Sequence, residues 1–428
     1  MMNPIAIATK GKGPLNFIKR AGTIAGRYGV TAAKMDRTLG HFVDILERYE
    51  SGATFPLTTV ALARSQGVIE KYQARNVEFA IHGYYHIDHS QLSLPEQLDH
   101  FTKARRVFKA RGVEGVGFRC PYLRWNADTI TAVGQADFLY DSSQGLAWDV
   151  VDGVETDAYR RVLKFYGAVS ATDYPALPRW DDGLVRIPYC LPDDEAFIDR
   201  FQLKSPEPMN RLWLSILEKT YELGELFTLG LHPERIYLCE APLVETLRRA
   251  RALSPGVWIA RLDEIARWWK ARTEAGVVVA NGEDGEVTLR VDGPAGLTVL
   301  ARGVDVQAPT EAWHGLYRRV KGAAFALRAP RRPFIGVSST SAPYLTSFLR
   351  QQGYIVEQTQ DAQANAFYLD RPEFGYEDER PLLAQIEGGN FPLVRLGRWP
   401  DGARSALCIT GDIDALTLWD YSLRFLGN

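Results

Sequence analysis

The feature that most constrains this chain is an alternation. Between about residues 36 and 272, short apolar runs of strand length are separated by longer segments whose apolar residues recur at helical spacing. That is the pattern of repeated βα units, in which helices cover a parallel sheet. Helix-period segments fall at Asp36 to Tyr49, Val60 to Arg75, Pro95 to Ala110, Ala127 to Val133, Asn210 to Leu223, Ala241 to Ala252 and Asp263 to Arg272. Strand-like runs fall at Ala53 to Leu57, Val77 to Ile81, Gly115 to Phe118, Phe138 to Tyr140, Leu184 to Pro188 and Glu225 to Leu231. Ligands of parallel βα folds gather at the carboxyl ends of the strands, so the residues just after each run are the ones to inspect.

The character changes near Glu274. Val277 to Ala280 and Val287 to Val291 alternate between the turn signals Asn281-Gly282 and Asp292-Gly293, which reads as a small β-rich module. After the break Ala329-Pro-Arg-Arg-Pro333 comes strand 334–337, helix 342–352, strand 354–357, helix 377–387 and strand 391–394, a compact α/β piece. At 428 residues the chain is too long for one ordinary core.

Apolar residues make up 46%, charged residues 24%, and the formal net charge is −2. Such a balance describes a folded protein and gives no basic tract for nucleic acid or an anionic membrane. No continuous apolar run follows Lys10, Lys12, Lys19 and Arg20, so neither a signal peptide nor an integral membrane segment is expected, and the cytoplasm is the default location. Cys120, Cys190, Cys239 and Cys408 are too scattered for a zinc knuckle or redox dithiol and read as reduced thiols.

The sharpest local signal is His82-Gly-Tyr-Tyr-His86, directly after a strand-like run. Histidines four apart on one helical turn face the same side and can grip one metal ion. His89 and Asp88 extend the cluster as supporting groups. Two neutral imidazoles leave a divalent ion in need of a carboxylate from another strand end. Two places offer adjacent acids: Trp180-Asp-Asp-Gly183, which reads as a solvated turn, and Thr410-Gly-Asp412-Ile-Asp414, which ends an apolar strand.

Taken together, His82-Gly-Tyr-Tyr-His86, Gly117-Phe-Arg119-Cys-Pro121-Tyr122, Tyr140-Asp141-Ser-Ser143 and Leu229-Gly-Leu-His232-Pro233 resemble the ordered motifs of the polysaccharide deacetylases, carbohydrate esterase family four. The resemblance spans most of residues 36–272. Members of that family open with a strand ending in paired acids, which this N-terminal region lacks. Thr410-Gly-Asp412-Ile-Asp414 resembles that missing motif, so the sequence looks circularly permuted. Permutation is tolerated when the original termini lie close together.

The resemblance implies an irregular parallel (β/α) barrel over residues 1–273 that a segment at 404–428 completes, and the residue pattern puts the β-rich module at 274–330 and the α/β module at 331–403 between them. It implies Asp414, His82 and His86 as metal ligands, Asp412 as the base acting on water, and Arg119 as the tether of that base. The backbone N–H of Tyr122 would receive the oxyanion, and His232 would protonate the departing amine. Asp141 or Asp149 would orient His232, with His89 behind the ligands. Trp258, Trp268 and Trp269 resemble the family's last strand and helix and are expected in the core, while Asp193 and Asp194 are candidates for substrate contact or a helix cap.

The resulting expectation is metal-dependent hydrolysis of an N-acetyl group from a sugar or glycan precursor. Zinc is the favoured ion, and the oligomeric state stays open. Two rivals remain: a glycan-binding pseudoenzyme whose displaced aspartates never reach the histidines, and a metal-dependent hydrolase of another C–N bond.

Overall fold

The computed structural model describes residues 22, 26–149, 157–202, 205–283 and 286–425. Its main sheet contains β1 (Ala53–Leu57), β2 (Val77–Ile81), β3 (Gly117–Phe118), β4 (Tyr140–Asp141), β5 (Gly145–Ala147), β6 (Val169–Ser170), β7 (Arg179–Asp181), β8 (Leu184–Arg186), β9 (Tyr189–Leu191), β10 (Leu226–Leu231) and β11 (Val257–Ile259). The chain then leaves this sheet for β12 (Gly276–Asn281) to β22 (Leu393–Leu396) and returns to it with β23 (Ser405–Gly411).

The order across the 12-stranded sheet is β6-β5-β9-β10-β23-β1-β2-β3-β4-β8-β7, with β11 paired to β23 off this path. All pairings are parallel except the β7–β8 hairpin. The result is a curled, mainly parallel, barrel-like α/β fold. Its central strands are continuous apolar runs because helices cover the outside and side chains fill the inside. Accordingly β1, β10 and β23 are buried along their whole lengths.

The position of β23 decides the site. It runs parallel to β10 from Leu226↔Ala406 to Leu231↔Gly411 and touches β1 at Thr54↔Thr410. A strand far downstream in sequence therefore lies at the centre of the sheet, between β10 and β1.

The helices follow the expected order with local differences. They are α1 (Ala33–Arg48), α2 (Thr59–Arg64), α3 (Gln66–Gln73), α4 (Leu94–Ala110), α5 (Ala127–Gln135), α6 (Asp157–Tyr166), α7 (Glu207–Leu223), α8 (Ile236–Ala252), α9 (Leu262–Thr273), α10 (Pro343–Gln351), α11 (Glu379–Gly388) and α12 (Leu418–Leu423). The single helix expected at 60–75 is two, broken where Ser65 adopts φ −134° and ψ 42°. Asp181, Asp182 and Gly183 form the exposed end of the β7–β8 hairpin, a solvated turn as expected.

Outside the main sheet lie two antiparallel four-stranded sheets and one parallel three-stranded sheet. The strand expected at 391–394 does not join the parallel sheet of β19 (Arg332–Val337), β20 (Val356–Gln358) and β21 (Asn365–Leu369). It is β22, which pairs antiparallel with β14 (Val299–Arg302) across the boundary placed at residue 330. Trp269 is fully buried and Trp268 nearly so, and Trp258, Trp268, Trp269 and Trp399 form one ring cluster. These tryptophans pack in the core.

Arginines bind the pieces together at helix ends. The last carbonyls of a helix have no partner within it and carry the negative end of its dipole. Arg398 and Arg404 donate to the end of α7, at Leu223 and Glu222. Arg272 and Arg395 donate to Gln351 and Gln352 at the end of α10, and Arg302 to Ile386 and Glu387 at the end of α11. Burial, then repulsion from Arg395 and Arg398, pushes Arg272 down to about 9.

Candidate functional site

Past β23 the backbone stays wedged between its neighbours. The Asp412 N–H donates to the Leu231 carbonyl at 3.1 Å, and the Ile413 N–H to that of Pro56 at 2.7 Å. Asp414 is thereby carried over the carboxyl end of β1 toward β2. His82 leaves the end of β2 with its own N–H bonded to the Leu57 carbonyl at 3.0 Å. Its Nδ1 lies 2.9 Å from the Arg119 carbonyl. A carbonyl only accepts, so Nδ1 carries the hydrogen and Nε2 keeps its lone pair.

That Nε2 lies 3.6 Å from Asp414 Oδ1, and His86 Nε2 lies 3.1 Å from the same oxygen. One ligand atom from each of His82, His86 and Asp414 falls within 4.8 Å of the others. The histidines do not share a helical turn, contrary to the reading of their spacing. Residues 82–86 form an irregular bend with Gly83 at φ +78°. A Cβ at Gly83 would lie 2.8 Å from the Tyr85 carbonyl oxygen, so the bend needs glycine.

The donors fit a divalent ion. Asp414 Oδ1 and His86 Nδ1 are buried with no hydrogen-bond partner among the described residues. Burial pushes His86 down to about 4 against the pull of Asp414, leaving a neutral imidazole. Burial alone would raise the Asp414 carboxyl, but His86, His82 and Arg424 hold it well below the usual carboxylate range. Neutral imidazole and ionised carboxylate are the forms that bind metal.

Asp412 stands beside this triad, with Oδ2 3.9 Å from His82 Nε2. Its Oδ1 accepts from Arg119 Nη1 at 2.6 Å. Arg119 is wholly buried, and its guanidinium is held from every edge: Nη1 also donates to Thr410 Oγ1, Nε to the Ser142 carbonyl and Nη2 to Ser142 Oγ, each at 3.0 Å. Its face lies over the Tyr189 ring at 4.6 Å. Burial is the largest influence and opposes the charge, but Asp412, with Tyr189 and Tyr140, outweighs it and raises the arginine above its ordinary value. Tyr122 follows Pro121 at φ +59°, with its ring edge-on to His86 at 4.4 Å.

His232 follows β10 and is bound by Asp194. The Asp194 carboxylate sits 2.7 Å from His232 Nδ1 and accepts the His232 backbone N–H at 2.8 Å. Burial lowers an imidazole pKa, but Asp194 raises it more, up to about 10. His232 is therefore a cation across the neutral range.

This corrects the expectation that Asp141 or Asp149 would orient His232. Asp141 accepts from Ser143 Oγ, which itself accepts the Cys120 N–H at 2.8 Å, so Asp141 braces the loop carrying Arg119. Asp149 accepts from Ser170 Oγ at 2.8 Å. His89 stacks on Phe101 with Nδ1 3.3 Å from the Ile87 carbonyl, supporting the bend rather than a ligand. Asp88 pairs with Arg124 at 2.7 Å.

Tyr189 and the specific role of Asp194 escaped the sequence reading. A signal existed: Leu191-Pro-Asp-Asp194 directly follows a strand, where site residues gather. All four cysteines are free and buried. Among the described residues no helix is long and apolar enough to cross a membrane.

Residues 34–140, which contain His82, His86, Arg119 and Tyr122, match the polysaccharide deacetylase family model. Over 136 residues the chain is 34% identical to the peptidoglycan deacetylase-like protein FGM2 of Gibberella zeae. That match takes in 29% of this chain and 35% of the relative, so the chain spans about a third of the relative's length. Among solved structures, one described as a probable polysaccharide deacetylase from Pseudomonas aeruginosa PAO1 is 23% identical, covering 54% of this chain and 72% of that one, with a TM-score of 0.43. Another of like description from Mycobacterium smegmatis is 21% identical, covering 63% and 88%, with a TM-score of 0.45. The ordered motifs and the matched segment agree: residues 34–140 are similar to the polysaccharide deacetylase family.

Proposed function

We propose that this protein hydrolyses an N-acetyl group from a sugar or glycan precursor in a metal-dependent reaction. The observation that carries this reading is the convergence of His82 Nε2, His86 Nε2 and a carboxylate oxygen of Asp414, supplied by two segments far apart in sequence. A divalent ion held by these three residues, with zinc favoured by the donor set, would supply Lewis acidity to water and to the acyl oxygen.

The chain's own residues divide the remaining work. Asp412, kept oriented by Arg119, takes a proton from water as the water oxygen attacks the acyl carbon. The N–H of Tyr122 receives the charge that develops on the acyl oxygen. His232 delivers its Nε2 proton to the nitrogen as the C–N bond breaks, because an amine leaves badly unprotonated. Asp194 holds the opposite ring nitrogen, so the mobile proton is the one facing away from it.

The central placement of β23 supports reading the sequence as a permuted barrel, with residues 274–330 and 331–403 as modules carried between two barrel strands. Metal analysis of the purified protein, together with acetate release from a panel of N-acetylated sugars, tests the whole reading. A metal-free protein that still binds glycans would favour a pseudoenzyme. A metal-loaded protein that cleaves only another class of C–N bond would move the substrate and keep the site.

A further inference from the structure

The mechanism above gives no task to a buried arginine beside the Asp414 carboxylate. Arg424, just past α12, is 7% exposed and places Nη2 3.5 Å from Asp414 Oδ2, the oxygen not shared by the histidines. Its Nε donates to the Tyr421 carbonyl at 3.0 Å, and its guanidinium lies 3.6 Å from the Tyr421 ring centroid. Those two contacts fix the plane. Nη2 is buried yet makes no hydrogen bond among the described residues.

A side chain that only braced Asp414 would spend that donor on the carboxylate. Here the contact is an ion pair at 3.5 Å that makes no hydrogen bond, and a buried N–H left unused is costly. The surroundings show where the donor is useful. Asp414 links it to His86, whose Nε2 lies 3.1 Å from Asp414 Oδ1. Tyr122 is the residue assigned to the acyl oxygen, and its ring packs on His86. The base pair Asp412–Arg119 instead approaches His82. The site thus has a proton-accepting side and a cationic side.

We propose that Arg424 is a further catalytic residue, whose Nη2 donates to the acyl oxygen as it becomes an oxyanion and then holds the carboxylate of the released acid. The inference rests on the deacetylase reading. In the step it serves, a bond forms between the water oxygen and the acyl carbon, and the carbonyl π pair moves onto the acyl oxygen beside Arg424. Asp412 takes the water proton. When that pair returns, the C–N bond breaks, its electrons pass to nitrogen, and His232 protonates the amine. The acid product leaves as a carboxylate, which a guanidinium recognises well.

The test compares the unchanged protein with Arg424→Ala and Arg424→Lys in three measurements: metal titration of the stripped protein, turnover, and acetate binding to the metal-loaded protein by calorimetry. Arg424→Ala is expected to bind metal as tightly as before, or more tightly because Asp414 loses a competing cation. Its kcat should fall about a hundredfold, as on removing one oxyanion donor. Acetate should bind at least tenfold more weakly, Arg424→Lys should recover part of both losses, and added guanidinium ion should partly rescue Arg424→Ala. Metal loss in step with activity would overturn the proposal and make Arg424 a brace for Asp414. Unchanged kcat and acetate affinity would also overturn it. If the unchanged protein releases no acetate from any sugar, the deacetylase reading fails, and equal acetate affinity in the protein and Arg424→Ala would then sink the Arg424 proposal separately.

Discussion

Asp194 grips His232 at two points, facing ring Nδ1 at 2.7 Å with one carboxylate oxygen and accepting the backbone N–H at 2.8 Å with the other. This fixes both the ring's orientation and its charge. With its pKa at about 10, His232 would be a loaded proton donor in the proposed reaction at neutral pH.

Asp194→Asn should therefore move the alkaline limb of the pH–rate profile down from about 10 toward neutrality. A histidine whose pKa is raised on folding contributes stability that is complete below its unfolded value of roughly 6.5 and is lost as pH rises through the folded value. The unchanged protein should lose denaturant stability between those limits, and His232→Gln should lack that component. Imidazole titration by NMR gives the direct check, and an unshifted His232 in Asp194→Asn would break the assignment.

His82→Ala, His86→Ala and Asp414→Ala should each lose metal on dialysis, whereas Asp412→Asn should keep metal and fold. In the proposed reaction Asp412 acts on water rather than on the ion, so its removal should cost roughly a hundredfold or more in turnover. Metal content measured beside kcat separates the two classes, and metal loss in Asp412→Asn would make that aspartate a ligand.

Gly230→Ala should disturb Asp412 without touching it. A Cβ at Gly230 would fall 1.8 Å from Tyr189 Oη, the hydroxyl that donates to Asp193 at 2.9 Å. Tyr189 must move, and the face that covers Arg119 goes with it. We expect a stability loss of about 1–3 kcal/mol, as for other overpacked cores, and a fall in kcat with metal content preserved.

Ile409→Ala probes the central strand. Ile409 is wholly buried and pairs in register with Leu229. The cavity should cost about 2–5 kcal/mol in chemical denaturation. Because Asp412 and Asp414 continue the same strand, metal affinity should fall with stability, which a surface substitution on α11 would not cause.

The sequence was readable where one physical pattern dominates. Ala53 to Leu57 and Val77 to Ile81 are strands at the residues where their apolar runs lie, because both faces of each strand are covered. The apolar run ending in Asp412 and Asp414 likewise announced a barrel strand. Reading failed where tertiary contacts decide. The four-residue spacing of His82 and His86 mimics a helical turn, but Gly83 at positive φ folds the segment back into a bend. The partner of His232 lies 38 residues away and reaches it only because β9 and β10 are neighbours in the sheet. The pairing of β22 with β14 was hidden for the same reason: register between distant strands leaves no local mark.

The central seat of β23 also sets an order of events during synthesis. A growing chain exposes β10 and β1 with a gap between them, and the strand that fills it emerges only after all of β12 to β22 has left the ribosome. Until then two long apolar edges face water, open to pairing with the wrong strand or with another nascent chain. Such a barrel cannot mature one βα unit at a time, and this late-made strand acts as the key that both closes the wall and delivers the two aspartates.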